Sequence, residues 1–132
     1  MELSNTYRNL LQIPQNQVYI LSPDDPIDLS AIKLGILFVL AKWSMASQKS
    51  FRTLNNVMKE FQEKLYFKLY IANTDDRQTE QFIVRNGDVP SGGGETYWIK
   101  DGNIAAKMAS YDDSQAPKVR SNLSLLADSA AP

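Results

Sequence analysis

Residues 34–48 read LGILFVLAKWSMASQ: an apolar run that ends in a tryptophan and two serines. Leu34 to Lys42 is apolar up to its final lysine and rich in branched and aromatic residues, the signature of a central strand covered on both faces. From Met45 to Leu65 the period changes. Phe51, Leu54, Val57, Met58, Phe61 and Leu65 recur every three or four residues and make one apolar helix face, with lysines and glutamates opposite. Residues 66–72 (YFKLYIA) return to strand composition, so strand, helix and strand read as a βαβ unit with a parallel pair and a right-handed crossover.

Working outward, Asn73-Thr74-Asp75-Asp76 supplies capping residues for a second helix carrying Phe82, Ile83 and Val84, and Asn86-Gly87 ends it. Residues 88–95 (DVPSGGGE) form a loop. Thr96 to Lys100, Asp101-Gly102 and Asn103 to Met108 read as a hairpin. A last helix starts near Pro117 and aligns Val119, Leu123 and Leu126 on one face. Upstream, Val18 to Leu21 is a short strand ended by the turn cluster at 22–26, with a loop or short helix running to Ile32. Residues 2–11 place Leu3, Tyr7, Leu10 and Leu11 at helical spacing. The expected order after that helix is β, β-α-β, α, β-β, α.

Composition excludes several function classes. The 132 residues contain no cysteine and no histidine, so thiol, disulfide and imidazole chemistry are closed to this chain. Its formal net charge is −1, and 14 basic residues are scattered among 15 acidic ones, which argues against nucleic acid as a partner. A hydrophobic fraction of 43% and a charged fraction of 22% are those of an ordinary folded domain. At this length a chain buries roughly 65–70% of its unfolded surface without metals or disulfides. No secretory signal opens the sequence, and its longest apolar stretch, 34–41, is too short for a membrane span of about 20 residues. The expected location is the cytoplasm, with no membrane partner.

The acidic pairs Asp24-Asp25, Asp75-Asp76 and Asp112-Asp113 sit at turns or caps, where aspartate is locally preferred, so no metal site is expected. Ser91-Gly92-Gly93-Gly94 invites a phosphate-loop reading. It leads into a strand without the Lys-Ser/Thr that such a loop needs, and is expected to be a mobile loop or bulge. The aromatic residues of 66–71 are expected mostly in the core.

The element order, with its βαβ unit, hairpin and closing helix, resembles the thioredoxin fold over about residues 18–128. The segment Lys42-Trp43-Ser44-Met45-Ala46-Ser47-Gln48 is similar in position and length to the family's Trp-Cys-x-x-Cys-Lys segment, and Lys100-Asp101-Gly102 resembles its hairpin turn. Residues 69–75 look like the third strand and its acidic turn. The resemblance implies a three-layer α/β sandwich: a mixed sheet of four or five strands flanked by helices, with residues 1–17 as an N-terminal helical extension and 129–132 as a flexible tail.

The departures from that family bear on function. Ser44 and Ser47 stand where the resemblance places the redox cysteines, and a serine with no neighbouring base cannot replace an activated thiolate. Met45-Ala46 between them is not the family's usual Gly-Pro. The family's cis-proline before the hairpin has two candidate positions: Pro90, which would require a cis Val89-Pro90 bond, or Gly94, which would leave the groove floor open and flexible. Ser44 reads first as the N-cap of the long helix; an alternative is that this helix end, with the Ser44 and Ser47 hydroxyls, accepts an anionic or carbonyl group. Trp43 reads equally as a partner contact or as an aromatic finishing a buried strand.

The resemblance thus implies a non-redox, non-catalytic module that binds a protein or peptide partner without a cofactor. The expected surface comprises Trp43, Ser44, Met45 and Ser47 on one side, with Val89, Pro90 and Gly94 on the other. Two alternatives remain: an immunity-type or structural interaction protein that uses the fold as a scaffold for one bacterial partner, and a thiol-independent glutathione-binding enzyme. The chain has no room for the helical second domain that the latter class usually carries.

Overall fold

The computed structural model of the chain describes residues 3–127. Nine elements follow one another: α1 (Asn5–Leu10), β1 (Val18–Ile20), β2 (Leu34–Leu40), α2 (Met45–Glu60), β3 (Lys68–Asn73), α3 (Arg77–Arg85), β4 (Thr96–Lys100), β5 (Asn103–Met108) and α4 (Ala116–Ala127). The sheet order is β1-β3-β2-β4-β5. β3 lies parallel to both β1 and β2, whereas β4 runs antiparallel to β2 and β5. The sheet is mixed, as the sequence implied.

β2 explains the layering. Its apolar run alternates between faces, so Ile36, Phe38 and Leu40 join one core while Leu37 and Val39 join the other. The first core takes Phe51, Leu54, Val57 and Met58 from α2, and Val119, Leu123 and Leu126 from α4. The second takes Phe82 and Ile83 from α3. Helices on both sides of one sheet make the three-layer sandwich. Leu3, Tyr7 and Ile13 enter the same core as α2, so the N-terminal segment packs as part of the body.

The hairpin and the closing helix fall where the sequence places them. Asp101 and Gly102 both take positive φ, 50° and 78°, as a tight two-residue hairpin turn requires. Pro117 lies in the first turn of α4.

Other boundaries differ from expectation. α2 ends at Glu60, and residues 61–64 form turns, although Phe61 and Leu65 still pack against the core. β3 starts at Lys68, leaving Tyr66 exposed while Phe67 is buried, so residues 66–71 are only partly core. Val84 also faces solvent, because three consecutive residues cannot share one helix face. The tail at 129–132 lies outside the described residues.

Candidate functional site

The site is built where β2 hands over to α2. Ser44 is the N-cap: its backbone is extended (φ −106°, ψ 121°), and its Oγ accepts the Ser47 N–H at 3.1 Å. One free donor of the first turn is thereby satisfied.

Ser47 is fully buried, and its Oγ works inward. It accepts the Ala41 N–H at 3.1 Å and lies 2.8 Å from the Tyr7 hydroxyl, which also reaches the Ala41 carbonyl at 3.0 Å. Burial raises the Tyr7 phenol above its ordinary range, and the Ser47 hydrogen bond offsets part of that. A protonated phenol from α1 therefore seals Ser47 from within. Of the two hydroxyls, Ser44 is the cap that the first reading expects, and Ser47 lies beneath the surface and not on it.

The neighbouring side chains point the other way. Trp43 is 68% exposed and Met45 67% exposed, the two together flanking the buried cap. Trp43 therefore does not finish a buried strand.

Against Trp43 lies the 88–95 loop, and its glycines explain how it fits. Gly92 has φ +70°, and a Cβ there would fall 2.3 Å from Trp43 Cη2, so the indole lies directly over the Gly92 backbone. The Gly93 carbonyl accepts the Ser110 N–H at 2.7 Å and lies 3.0 Å from Ser50 Oγ. Gly94, at φ +74°, passes so close to α2 that a Cβ would meet Ser50 Cβ at 2.8 Å and Phe38 at 3.1 Å. The segment is thus a packed crossing, held because glycine lets backbone approach side chain.

The two cis-proline candidates resolve differently from either expectation. No cis peptide bond occurs among the described residues, so Val89-Pro90 is trans. Pro90 is half-buried, and Val89 is 81% exposed at the rim of the loop. Gly94 does stand just before β4, but it is buried against Phe38 and Ser50, so the floor of the groove is closed and not open. Trp43 and the loop meet directly; Met45 and Val89 lie on either side of that contact in the chain.

Residues that the sequence reading missed share a cavity with Val89. Asp88, Ser91, Glu95, Tyr97 and Lys107 line a cavity of about 270 Å³. Lys107 Nζ sits 3.1 and 3.0 Å from the two Asp88 carboxylate oxygens, and the Tyr97 hydroxyl donates to Asp88 Oδ2 at 3.3 Å. Burial first, then the charge of Asp88, its hydrogen bond and the charge of Glu95 push the Tyr97 phenol well above its ordinary value. The available signal was register: Tyr97 pairs with Lys107 across the hairpin, and Glu95 shares the face of Tyr97.

Two of the paired aspartates bond locally, and a third reaches the long helix. Asp25 accepts the Ser22 N–H, and Asp112 accepts both the N–H and the hydroxyl of Ser114, which lowers both carboxyls below the usual range. Asp113 accepts the Thr53 hydroxyl at 2.6 Å.

Fold and site together describe a thioredoxin-fold protein whose long helix opens on two serines, one capping it and one bonded inward. Solved structures agree on the fold. Thioredoxin O2 from Arabidopsis thaliana in its oxidized state superposes with a TM-score of 0.62 at 13% identity, covering 84% of this chain and 97% of that one. Reduced desulfothioredoxin from Desulfovibrio vulgaris Hildenborough gives 0.56 at 9% identity, covering 79% and 95%. A mutant thioredoxin from Halobacterium salinarum NRC-1 gives 0.52 at 13% identity, covering 82% and 92%. No family model and no curated protein matches by sequence. Identities this low speak for the fold alone. Lacking any cysteine, the chain has no thiol of its own with which to exchange disulfides.

Proposed function

We propose that this protein is a non-redox module that binds an extended segment of a protein or peptide partner across Trp43, Met45 and Val89. The observation that carries the reading is Trp43: a large apolar side chain 68% exposed, yet seated on Gly92. Tryptophan is enriched at binding hot spots, and one already positioned loses less freedom on association. Met45 adds an adaptable apolar contact, and the exposed Val89 extends the surface across the loop. The buried serines contribute by fixing the helix start from which Trp43 and Met45 project.

One observation favours a second reading, in which the fold is a scaffold that binds through another face. Tyr19 and Ile20 are exposed on β1, an edge strand of the sheet, and Tyr66 is exposed just before the neighbouring β3. Edge strands are natural sites of pairing with another chain.

Affinity capture from the native host with the wild-type chain and with a W43A/M45A double variant separates the two. Loss of the partner with an unchanged unfolding midpoint supports the groove. Retention of the partner in full removes it and leaves the β1 edge.

A further inference from the structure

The cavity that Val89 lines holds an acceptor for which the Trp43 surface has no use. Glu95 is only 5% exposed, at a wall of that cavity. Its Oε2 accepts the Ser91 N–H at 2.6 Å and the Ser91 hydroxyl at 3.2 Å, which pins the loop. Its Oε1 is closed to solvent and has no hydrogen-bond partner among the described residues. Buried carboxylates ordinarily have every strong acceptor site matched by a donor, because desolvation without compensation is unfavourable.

The other charges around the cavity do not supply that donor. Lys107 bridges both oxygens of Asp88 at 3.0 and 3.1 Å, and the Tyr97 hydroxyl is directed at Asp88 as well. Asp88 and Lys107 pair with each other, so Oε1 of Glu95 is the acceptor of the group left without a donor. The terminal torsion of a glutamate is broad, so the carboxylate turns toward an entering donor at small cost, both oxygens moving together about the Cγ–Cδ bond. At about 270 Å³ the space falls below the roughly 300–1,000 Å³ of sites that enclose a whole small molecule. It suits the end of one long side chain.

We propose that this cavity receives the guanidinium of an arginine in the bound polypeptide, with Glu95 as its counter-charge and Val89 covering the methylene stem. The inference deepens the proposed peptide-binding function and rests on that reading. Guanidinium is favoured over ammonium because its planar fork offers parallel donors to a carboxylate and is less strongly hydrated. The specificity it implies is for a basic residue in the segment that crosses Trp43 and Val89.

The test uses the full chain and two probes of equal shape, N-acetylarginine methylamide and its uncharged urea counterpart N-acetylcitrulline methylamide, followed by amide chemical shifts. The arginine probe is expected to shift Ser91, Glu95 and Lys107 and to bind at least tenfold more tightly than the citrulline probe. E95Q keeps an oxygen for Ser91 and removes the charge; it is expected to weaken the arginine probe at least tenfold. K107Q, at a half-exposed position, frees Asp88 and is expected to tighten that probe severalfold, which supplies a readout should E95Q fold poorly. Equal binding of the two probes, or no response to either substitution, overturns the proposal. Extended peptides with and without arginine, measured on W43A, keep the two claims apart. Arginine-free peptides that need Trp43, with no binding of the arginine probe, sink the cavity and leave the groove. An arginine probe that binds through Glu95 while W43A changes no peptide affinity sinks the groove and leaves a side-chain site.

Discussion

Replacing Gly92 with alanine tests whether the loop is what holds Trp43. Gly92 has φ +70°, and its added Cβ would lie 2.3 Å from Trp43 Cη2 and 3.0 Å from Cζ2. Two effects follow. The left-handed backbone costs an L residue about 1–2 kcal/mol. The contact forces the indole to move, and because its ring is mostly exposed it swings outward at little further cost. Gly94→Ala is the contrast: at φ +74° its Cβ would meet Ser50 Cβ at 2.8 Å and Phe38 at 3.1 Å, both buried. Overpacking of about 1–3 kcal/mol then adds to the backbone strain, for a total of about 2–5 kcal/mol. Urea unfolding of wild type, G92A, W43A and W43A/G92A measures the second effect as a cycle, because the backbone strain is common to both backgrounds and cancels. Coupling of about 0.5–1 kcal/mol is expected, since without the indole only backbone strain remains. Fluorescence reports the rest: Trp98 is fully buried and keeps its emission, while the Trp43 component changes as the ring leaves the loop. Zero coupling together with an unchanged emission spectrum would refute the seating of Trp43 on Gly92.

Three further outcomes follow from the same geometry. Ser47→Ala leaves the buried Ala41 N–H without its side-chain acceptor and should destabilise the fold by about 1–3 kcal/mol by urea unfolding, whereas Ser44→Ala should cost about 1 kcal/mol as an ordinary cap loss. Phe51→Ala removes a fully buried ring that packs at 4.8 Å on Phe38 and 5.2 Å on Tyr7, and should cost about 3–5 kcal/mol with loss of near-ultraviolet dichroism. Stability should also fall in alkali. The phenols of Tyr7, Tyr97 and Tyr111 are raised chiefly by burial, so the folded state holds protons that the unfolded chain begins to release near pH 10. Their contribution is complete below about pH 10 and is lost above it, at about 1.4 kcal/mol per pH unit for each of Tyr97 and Tyr111, with Tyr7 adding in the same direction; a flat profile from pH 9 to 12 would contradict this.

Most of the architecture was legible because it rests on periodicity. The switch from the continuous apolar run of β2 to the three-and-four spacing of α2 located the central βαβ unit, and Asp101-Gly102 located the hairpin. The limits of α2 and β3 were not legible, because Phe61, Leu65 and Tyr66 remain apolar after the backbone leaves helix or before it enters strand. Of the candidate surface, the helix start was legible in the sequence but its bonding was not. Sequence order placed Trp43, Ser44 and Ser47 at the helix start, but only the fold brings Tyr7 across to bond Ser47. Likewise Gly92, Gly93 and Gly94 look like a flexible run until Trp43, Ser110 and Ser50 are found within contact of their missing side chains. The cavity at Glu95 depended on hairpin register, which no single segment encodes.

The most direct test of the binding surface is a footprint. Extended peptides selected from a display library against the wild-type chain are titrated into isotope-labelled protein, and the perturbed amides are mapped. If Trp43 anchors the partner, shifts concentrate at 42–46 and 88–94, and affinity falls at least tenfold in W43A. Shifts concentrated at Tyr19, Ile20 and Tyr66, with W43A binding as wild type does, would contradict it.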